Sequence, residues 1–215
     1  MTARRLVFWR HGRTSWNAEQ RFQGQSDIPL DDVGLAQAAR AAKALARLQP
    51  ARILSSDLSR AMATANALST VTGLAVEPDS GLRETWAGEW EGLTRTELEE
   101  RFPGEMSRWG AGSDVRPGGG ETRVEVADRM VAVVHAALVR LGEGQTMVIA
   151  THGGSARAAI CALLGLPPDH WAALGVLTNC AWSVLQENTG DHGPAWRLQE
   201  YNAISLPVEA LADDR

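Results

Sequence analysis

Leu6-Val7-Phe8-Trp9-Arg10-His11-Gly12-Arg13-Thr14 is the stretch on which the reading of this chain turns. An apolar, β-prone run that ends in a basic pair and a glycine predicts a strand whose C-terminal end carries polar groups into a crevice. The glycine lets the backbone turn sharply and come close to a ligand. Arginine offers a planar fork of donors suited to a phosphate, and a neutral imidazole beside it can act as a nucleophile. The pattern returns late in the chain, where Thr146-Met147-Val148-Ile149-Ala150-Thr151 leads into His152-Gly153-Gly154. Two strands that each end in His-Gly can set two imidazoles side by side in a parallel sheet.

Around the first strand the elements alternate. Asp31-Asp32 before Val33 marks a helix start, apolar residues follow at helical spacing to Leu48, and Pro50 stops the run. Arg52-Ile53-Leu54-Ser55-Ser56 reads as a short strand, and Asp57 or Ser56 is expected to cap an alanine-rich helix that continues to Val71. Residues 121–141 predict a long amphipathic helix, 147–151 a strand and 155–164 the helix after it. Trp182-Ser183-Val184-Leu185 and residues 196–201 look like two more strands, a hairpin at the sheet edge. The expected fold is a three-layer α/β/α sandwich with a mostly parallel sheet and one antiparallel edge strand. Residues 82–120 break the alternation, mixing charged and aromatic residues with Pro103, Pro117 and the glycines 110, 112 and 118–120. They predict a small cap inserted at about 85–120, with a short helix around Arg95–Arg101; from 110 to 120 the alternative is a surface loop. The whole chain, 1–215, reads as one domain.

The composition narrows the function. A net charge of -5 argues against a general nucleic-acid or membrane-surface role, both of which need a basic face. No apolar run approaches the roughly 18 residues of a membrane helix, and Met-Thr-Ala-Arg-Arg runs straight into the first strand without a secretory signal. A cytoplasmic location is the expectation. Cys161, in an apolar helical pattern, reads as a buried free thiol, and neither it nor Cys180 belongs to a CxxC pair. The chain has eight tryptophans, of which Trp86, Trp90 and Trp109 cluster near an acidic segment and are expected to line a pocket. His135, His170 and His192 are scattered without spaced partners, so no metal site and no cofactor is expected.

Phosphomonoester cleavage requires charge neutralisation, an in-line nucleophile and a proton for the departing alkoxide. Arg10 and Arg60 can meet the first need, Arg60 from the first turn of a helix whose dipole also favours an anion. His152 follows its strand as His11 does and would add a donor. Glu84, beside Leu82, Trp86 and Ala87, is the best proton donor, because apolar neighbours favour the protonated carboxyl. The symmetry of the two His-Gly strands does not by itself say which histidine attacks.

Four ordered segments carry a family resemblance: Arg10-His11-Gly12, Leu54-Ser55-Ser56-Asp57-Leu58-Ser59-Arg60-Ala61, Leu82-Arg83-Glu84 with Gly88-Glu89-Trp90-Glu91-Gly92, and His152-Gly153. Together they resemble the histidine phosphatase superfamily, which includes the phosphoglycerate mutases. The resemblance implies that His11 is the histidine that becomes phosphorylated and His152 a phosphate-binding partner. It also places Asn17, Gln23, Gly24 and Arg83 at the phosphate or substrate. The implied protein is a phosphatase that needs no metal and acts on a small phosphorylated metabolite, with neither nucleic acid nor membrane as partner and a homodimer left open. Residues 82–85, 118–123, 179–182, 196–198 and 201–203 are similar to the branch of the family acting on glucosyl-3-phosphoglycerate, with other sugar phosphates as alternatives. Phosphoglycerate mutase activity is a second possibility. Mutases follow their glutamate with Arg-His-Tyr-Gly, where this chain has Thr85-Trp86-Ala87-Gly88. A catalytically silent phosphate-binding module is a third.

Overall fold

The structure, a computed structural model, describes residues 2–111, 115–190, 193 and 195–205. Part of the glycine-rich stretch read as cap or loop (112–114) and His192 lie outside the described residues. Six strands form one sheet in the order β3-β2-β4-β1-β5-β6. They are β1 (Arg5–Arg10), β2 (Pro50–Ser55), β3 (Val76–Pro78), β4 (Thr146–Thr151), β5 (Trp182–Glu187) and β6 (Trp196–Ala203). Among the described residues the α-helices are α1 (Ser15–Ala18), α2 (Asp32–Ala46), α3 (Ser59–Thr72), α4 (Arg95–Arg101), α5 (Glu105–Gly110), α6 (Arg123–Leu138) and α7 (Gly153–Leu163). No described helix is long and apolar enough to cross a membrane.

The period-two alternation of β1 divides the core. Leu6 and Phe8 join α6 and α7 on one face, while Val7 and Trp9 join α2 and α3 on the other. β4, between β1 and β2, is buried at every residue. That explains its unbroken apolar run: a central parallel strand has a helix layer on each side and no polar face to show. Burying a side chain of the size of Phe8 contributes about 1.5–3 kcal/mol. The three-layer architecture and the mostly parallel sheet follow as expected. β5 alone points opposite to the other five strands; it lies one strand in from the edge, and β6 completes the antiparallel hairpin there.

Local chemistry moved several boundaries. β3 was not read from the sequence, since three residues ending in a proline carry too little pattern; its pairing of Val76 with Ile53 is what makes it a strand. Helix α6 starts at Arg123, not at 121, because Thr122 and Glu125 cap its end reciprocally while Glu121 binds Arg129 and the Trp86 amide. Neither Asp57 nor Ser56 caps α3, contrary to expectation: the first helical residue, Ser59, donates its N–H and hydroxyl to Asp27 in the loop after β1. Asp57 instead takes a bidentate ion pair with Arg83, a stronger charge-assisted contact than a single capping bond.

The segment between β3 and α6 holds α4, α5 and short 3-10 turns around its own apolar nucleus. Trp90 is fully buried there, with its ring edge-on to Phe22 and Trp109 at 5.6 and 6.0 Å. Trp86 does not join this cluster and is 51% exposed.

Candidate active site

Parallel pairing of β1 with β4 sets Arg10 opposite Thr151, and the His11 N–H continues the ladder to the Thr151 carbonyl at 2.9 Å. The next residues, His11 and His152, therefore meet, with ring centroids 5.1 Å apart and planes inclined at 61°. His11 Nδ1 lies 2.7 Å from the Gly12 carbonyl, which can only accept. The proton is thus on Nδ1, and Nε2, unbonded among the described residues, keeps its lone pair toward the cleft. His152 Nε2 lies 2.8 Å from the Ser56 hydroxyl, and its Nδ1 is buried without a partner. Both imidazoles are held well below the usual value of 6.5, chiefly by burial and then by the Arg60 charge, so both are neutral near pH 7. At Gly12 an added Cβ would meet the Gly34 carbonyl oxygen at 2.4 Å, so the turn after β1 presses directly on the start of α2.

Two guanidinium groups converge on this pair. Arg60, in the first turn of α3, is fully buried and donates to the carbonyls of Ser26 and Gly24 at 2.7 and 2.8 Å. Burial pushes its pKa down to about 10, a value at which it remains a cation at neutral pH. Arg10 donates from Nη1 to the Leu177 carbonyl, and burial lowers its pKa as well. Both Nε atoms are buried and unpartnered. Carbonyls orient these arginines without neutralising them, which leaves their charge for an anion.

The loop that supplies the carbonyls is itself pinned. Gly24 has φ +52°, and a Cβ there would meet Glu91 Oε1 at 2.2 Å. The Glu91 carboxylate accepts from the amides of Gln25 and Ala87 and, at 2.6 Å, from the Ser26 hydroxyl. No sequence signal pointed to this role, because the contact spans more than sixty residues.

Glu84 reaches the N-terminus of α7. Its Oε1 accepts from the Thr85 and Ser155 amides at 2.9 and 2.8 Å, and its Oε2 from the Gly154 amide at 2.9 Å. Backbone amides rather than apolar side chains therefore fix the carboxylate, and Trp86, expected to crowd it, is turned to solvent.

Arg10, His11, Asn17, Gln23, Gly24, Arg60 and Glu84 line one cleft of about 230 Å3. Asn17 Oδ1 takes the Thr14 and Asn179 donors, and Gln23 Oε1 accepts from the Thr14 hydroxyl, so both amide side chains are set by the loop after β1. His152 lies behind His11, fully buried. Arg83 does not reach the cleft lining, because Asp57 holds its guanidinium at 2.6 and 2.7 Å. Of the three clustered tryptophans, Trp109 alone lines the cleft. Arg21, Phe22, Thr85 and Val176 also line it and were not anticipated. Among the described residues no group of three or more His, Cys, Asp or Glu is arranged to hold a metal ion.

An α/β fold that brings one neutral imidazole to a cleft with a second behind it, and adds two guanidiniums hydrogen-bonded to carbonyls and a carboxylate, is built for phosphoryl chemistry. The family model described as "Histidine phosphatase superfamily (branch 1)" matches residues 6–203, and the chain belongs to that superfamily. It is a phosphomonoester hydrolase. It is 43% identical to a glucosyl-3-phosphoglycerate phosphatase of Mycolicibacterium vanbaalenii, over 94% of this chain and 96% of that one. Identity to the Mycobacterium tuberculosis protein of the same name is 41%, over the same shares. A solved mycobacterial glucosyl-3-phosphoglycerate phosphatase in complex with VO3 superposes with a TM-score of 0.87 at 41% identity, covering 93% of this chain and 99% of that one. YhfR of Bacillus stearothermophilus gives 0.84 at 29% identity, covering 94% and 98%.

Proposed function

We propose that the protein removes the phosphate of a small phosphorylated metabolite through a phosphohistidine on His11, and that the metabolite is glucosyl-3-phosphoglycerate or a closely similar sugar phosphate. One observation carries the reading: a neutral imidazole with its Nε2 lone pair free stands among two arginines held only by carbonyls. Arg10 and Arg60 take the charge of the phosphate, and His152 adds a donor beside the attacking ring. Nε2 of His11 forms the bond to phosphorus as the bond to the leaving oxygen breaks, and Glu84 protonates that oxygen. Its Oε2, with one backbone partner against two on Oε1, is the edge free to carry the proton. Water then attacks phosphorus, Glu84 takes its proton, and His11 is released as the neutral ring. The substrate assignment rests on the relatives' names and on the room the cleft leaves beyond a phosphate. In this reading the protein works in the cytoplasm, without nucleic acid or membrane.

Rapid quench of the protein with substrate should trap acid-labile, base-stable phosphate on the chain. His11→Ala should abolish that label and slow turnover by on the order of a thousandfold or more while folding normally. Retained turnover in that variant would overturn the mechanism, and a panel of sugar phosphates tests the substrate.

A further inference from the structure

Against Trp109, on the outer wall of the cleft, stands an arginine that phosphate chemistry does not use. Arg123, the first residue of α6, places its guanidinium 4.5 Å from the ring centroid of Trp109, which lines the cleft. Its Nε and Nη1 are buried and have no hydrogen-bond partner. Nη2, common to both bidentate edges of a guanidinium, is the nitrogen not so enclosed. Around the same region Arg21, Arg83, Arg116 and Arg129 each have a carboxylate partner. Arg123 has none. The charge that acts on it is another cation, Arg157 of α7, which is buried and donates to the Leu174 carbonyl at 3.4 Å. Both are tied to the cleft wall, Arg123 through Trp109 and Arg157 through the strand of chain that continues to Val176.

Burial and this neighbouring cation push the Arg123 pKa down to about 10. Two guanidiniums enclosed together with no counter-charge among the described residues cost free energy, and stacking on an indole offsets only part of such a cost. Nη2, the nitrogen not enclosed, is the donor left for an incoming anion, and it adjoins the Trp109 ring that lines the cleft.

We propose that Arg123, backed by Arg157, is a second anion subsite that receives a carboxylate carried on the leaving group of the substrate. A carboxylate is planar and has two oxygens, which matches the fork of a guanidinium better than a further tetrahedral anion matches a stacked one. The subsite separates the chemistry, at Arg10, His11 and Arg60, from the selection of an acidic leaving group. The inference rests on the phosphatase reading above.

The test compares glucosyl-3-phosphoglycerate with its analogue in which the carboxylate is reduced to hydroxymethyl, and with p-nitrophenyl phosphate. The wild type should favour the carboxylate over the alcohol by at least tenfold in kcat/KM. Arg123→Gln should lose that preference mainly through KM, and should stay within about twofold on the other two substrates. Arg123→Lys should recover part of it, and Arg157→Gln should lose a smaller share on the acidic substrate alone. Equal losses on all three substrates, or a wild type indifferent to the carboxylate, would overturn the subsite while leaving the phosphatase reading intact. A wild type that turns over none of the three, p-nitrophenyl phosphate included, overturns both.

Discussion

The strand-end cradle and the aromatic wall facing it are built by opposite means. In the cradle nearly every functional group is held by backbone: Arg60 by the carbonyls of Gly24 and Ser26, His11 by that of Gly12, Glu84 by the amides of Thr85, Gly154 and Ser155. In the wall the contacts are ring against ring, Phe22, Trp90, Phe102 and Trp109 meeting at 5.5–6.3 Å. Backbone partners cannot be changed by substituting a neighbour, whereas ring contacts can. The difference separates a part that must keep one geometry for phosphoryl transfer from a part whose side chains set which leaving group fits. The two regions are joined at Glu91, which comes from the wall and ties down the loop whose carbonyls orient Arg60.

The sharpest way to break this comparison is to remove a charge from the cradle. Arg60→Ala should lower kcat/KM by on the order of 10^3, since a preorganised donor acts where charge develops, and lysine should recover only part because it lacks the fork. A loss no larger than that of Arg123→Gln on a neutral leaving group would erase the distinction between the two regions. A smaller effect is expected at Glu84. Glu84→Gln should slow the phosphorylation step for an alkyl phosphate by on the order of 10^2, and p-nitrophenyl phosphate much less, since nitrophenolate leaves without a proton. Single-turnover measurements isolate that step, and equal losses for both substrates would remove Glu84 as the acid. The smallest effect concerns stability. His11 and His152 are neutral in the fold, with pKa values below the 6.5 of the unfolded chain. The unfolded state therefore binds more protons as the pH drops below 6.5. Stability is complete above that pH and declines below it, by at most about 1.4 kcal/mol per pH unit for each imidazole. Denaturant melts from pH 7 to 5 should show this slope, and His152→Asn should flatten it.

The parts of the fold legible in the sequence are those where one local run carries both structure and chemistry. β1 ending in Arg10-His11 and β4 ending in His152 announce a strand and its cargo together, and their pairing in register brings the two rings to 5.1 Å. Asn17, Gln23 and Gly24 were legible through the family resemblance and do line the cleft. What escaped depends on partners far along the chain. Arg83 reads like a phosphate ligand until Asp57, 26 residues earlier, claims it. Asp57 reads like a helix cap for the same reason, and the cap comes from Asp27. Trp86 and Trp90 look alike in sequence, yet one is 51% exposed and the other fully buried. Arg123 gave no such signal, since only the packing of α5 against the start of α6 shows that it has no counter-ion among the described residues.

The position of β4 has a consequence for how the protein comes into being. In the finished sheet β1 and β2 do not touch; β4 lies between them, and the other neighbour of β1 is β5. As the chain leaves the ribosome, the strand bearing His11 has no sheet partner until residue 146 and beyond have emerged. Until then the nascent chain pairs only β2 with β3 and exposes unpaired strand edges, the kind of surface that chaperones bind. An N-terminal fragment that already contains Arg10, His11, Arg60 and Glu84 still lacks the strand that joins β1 to β2 and leads into His152. Activity therefore arrives late and all at once, when the middle strand is laid in.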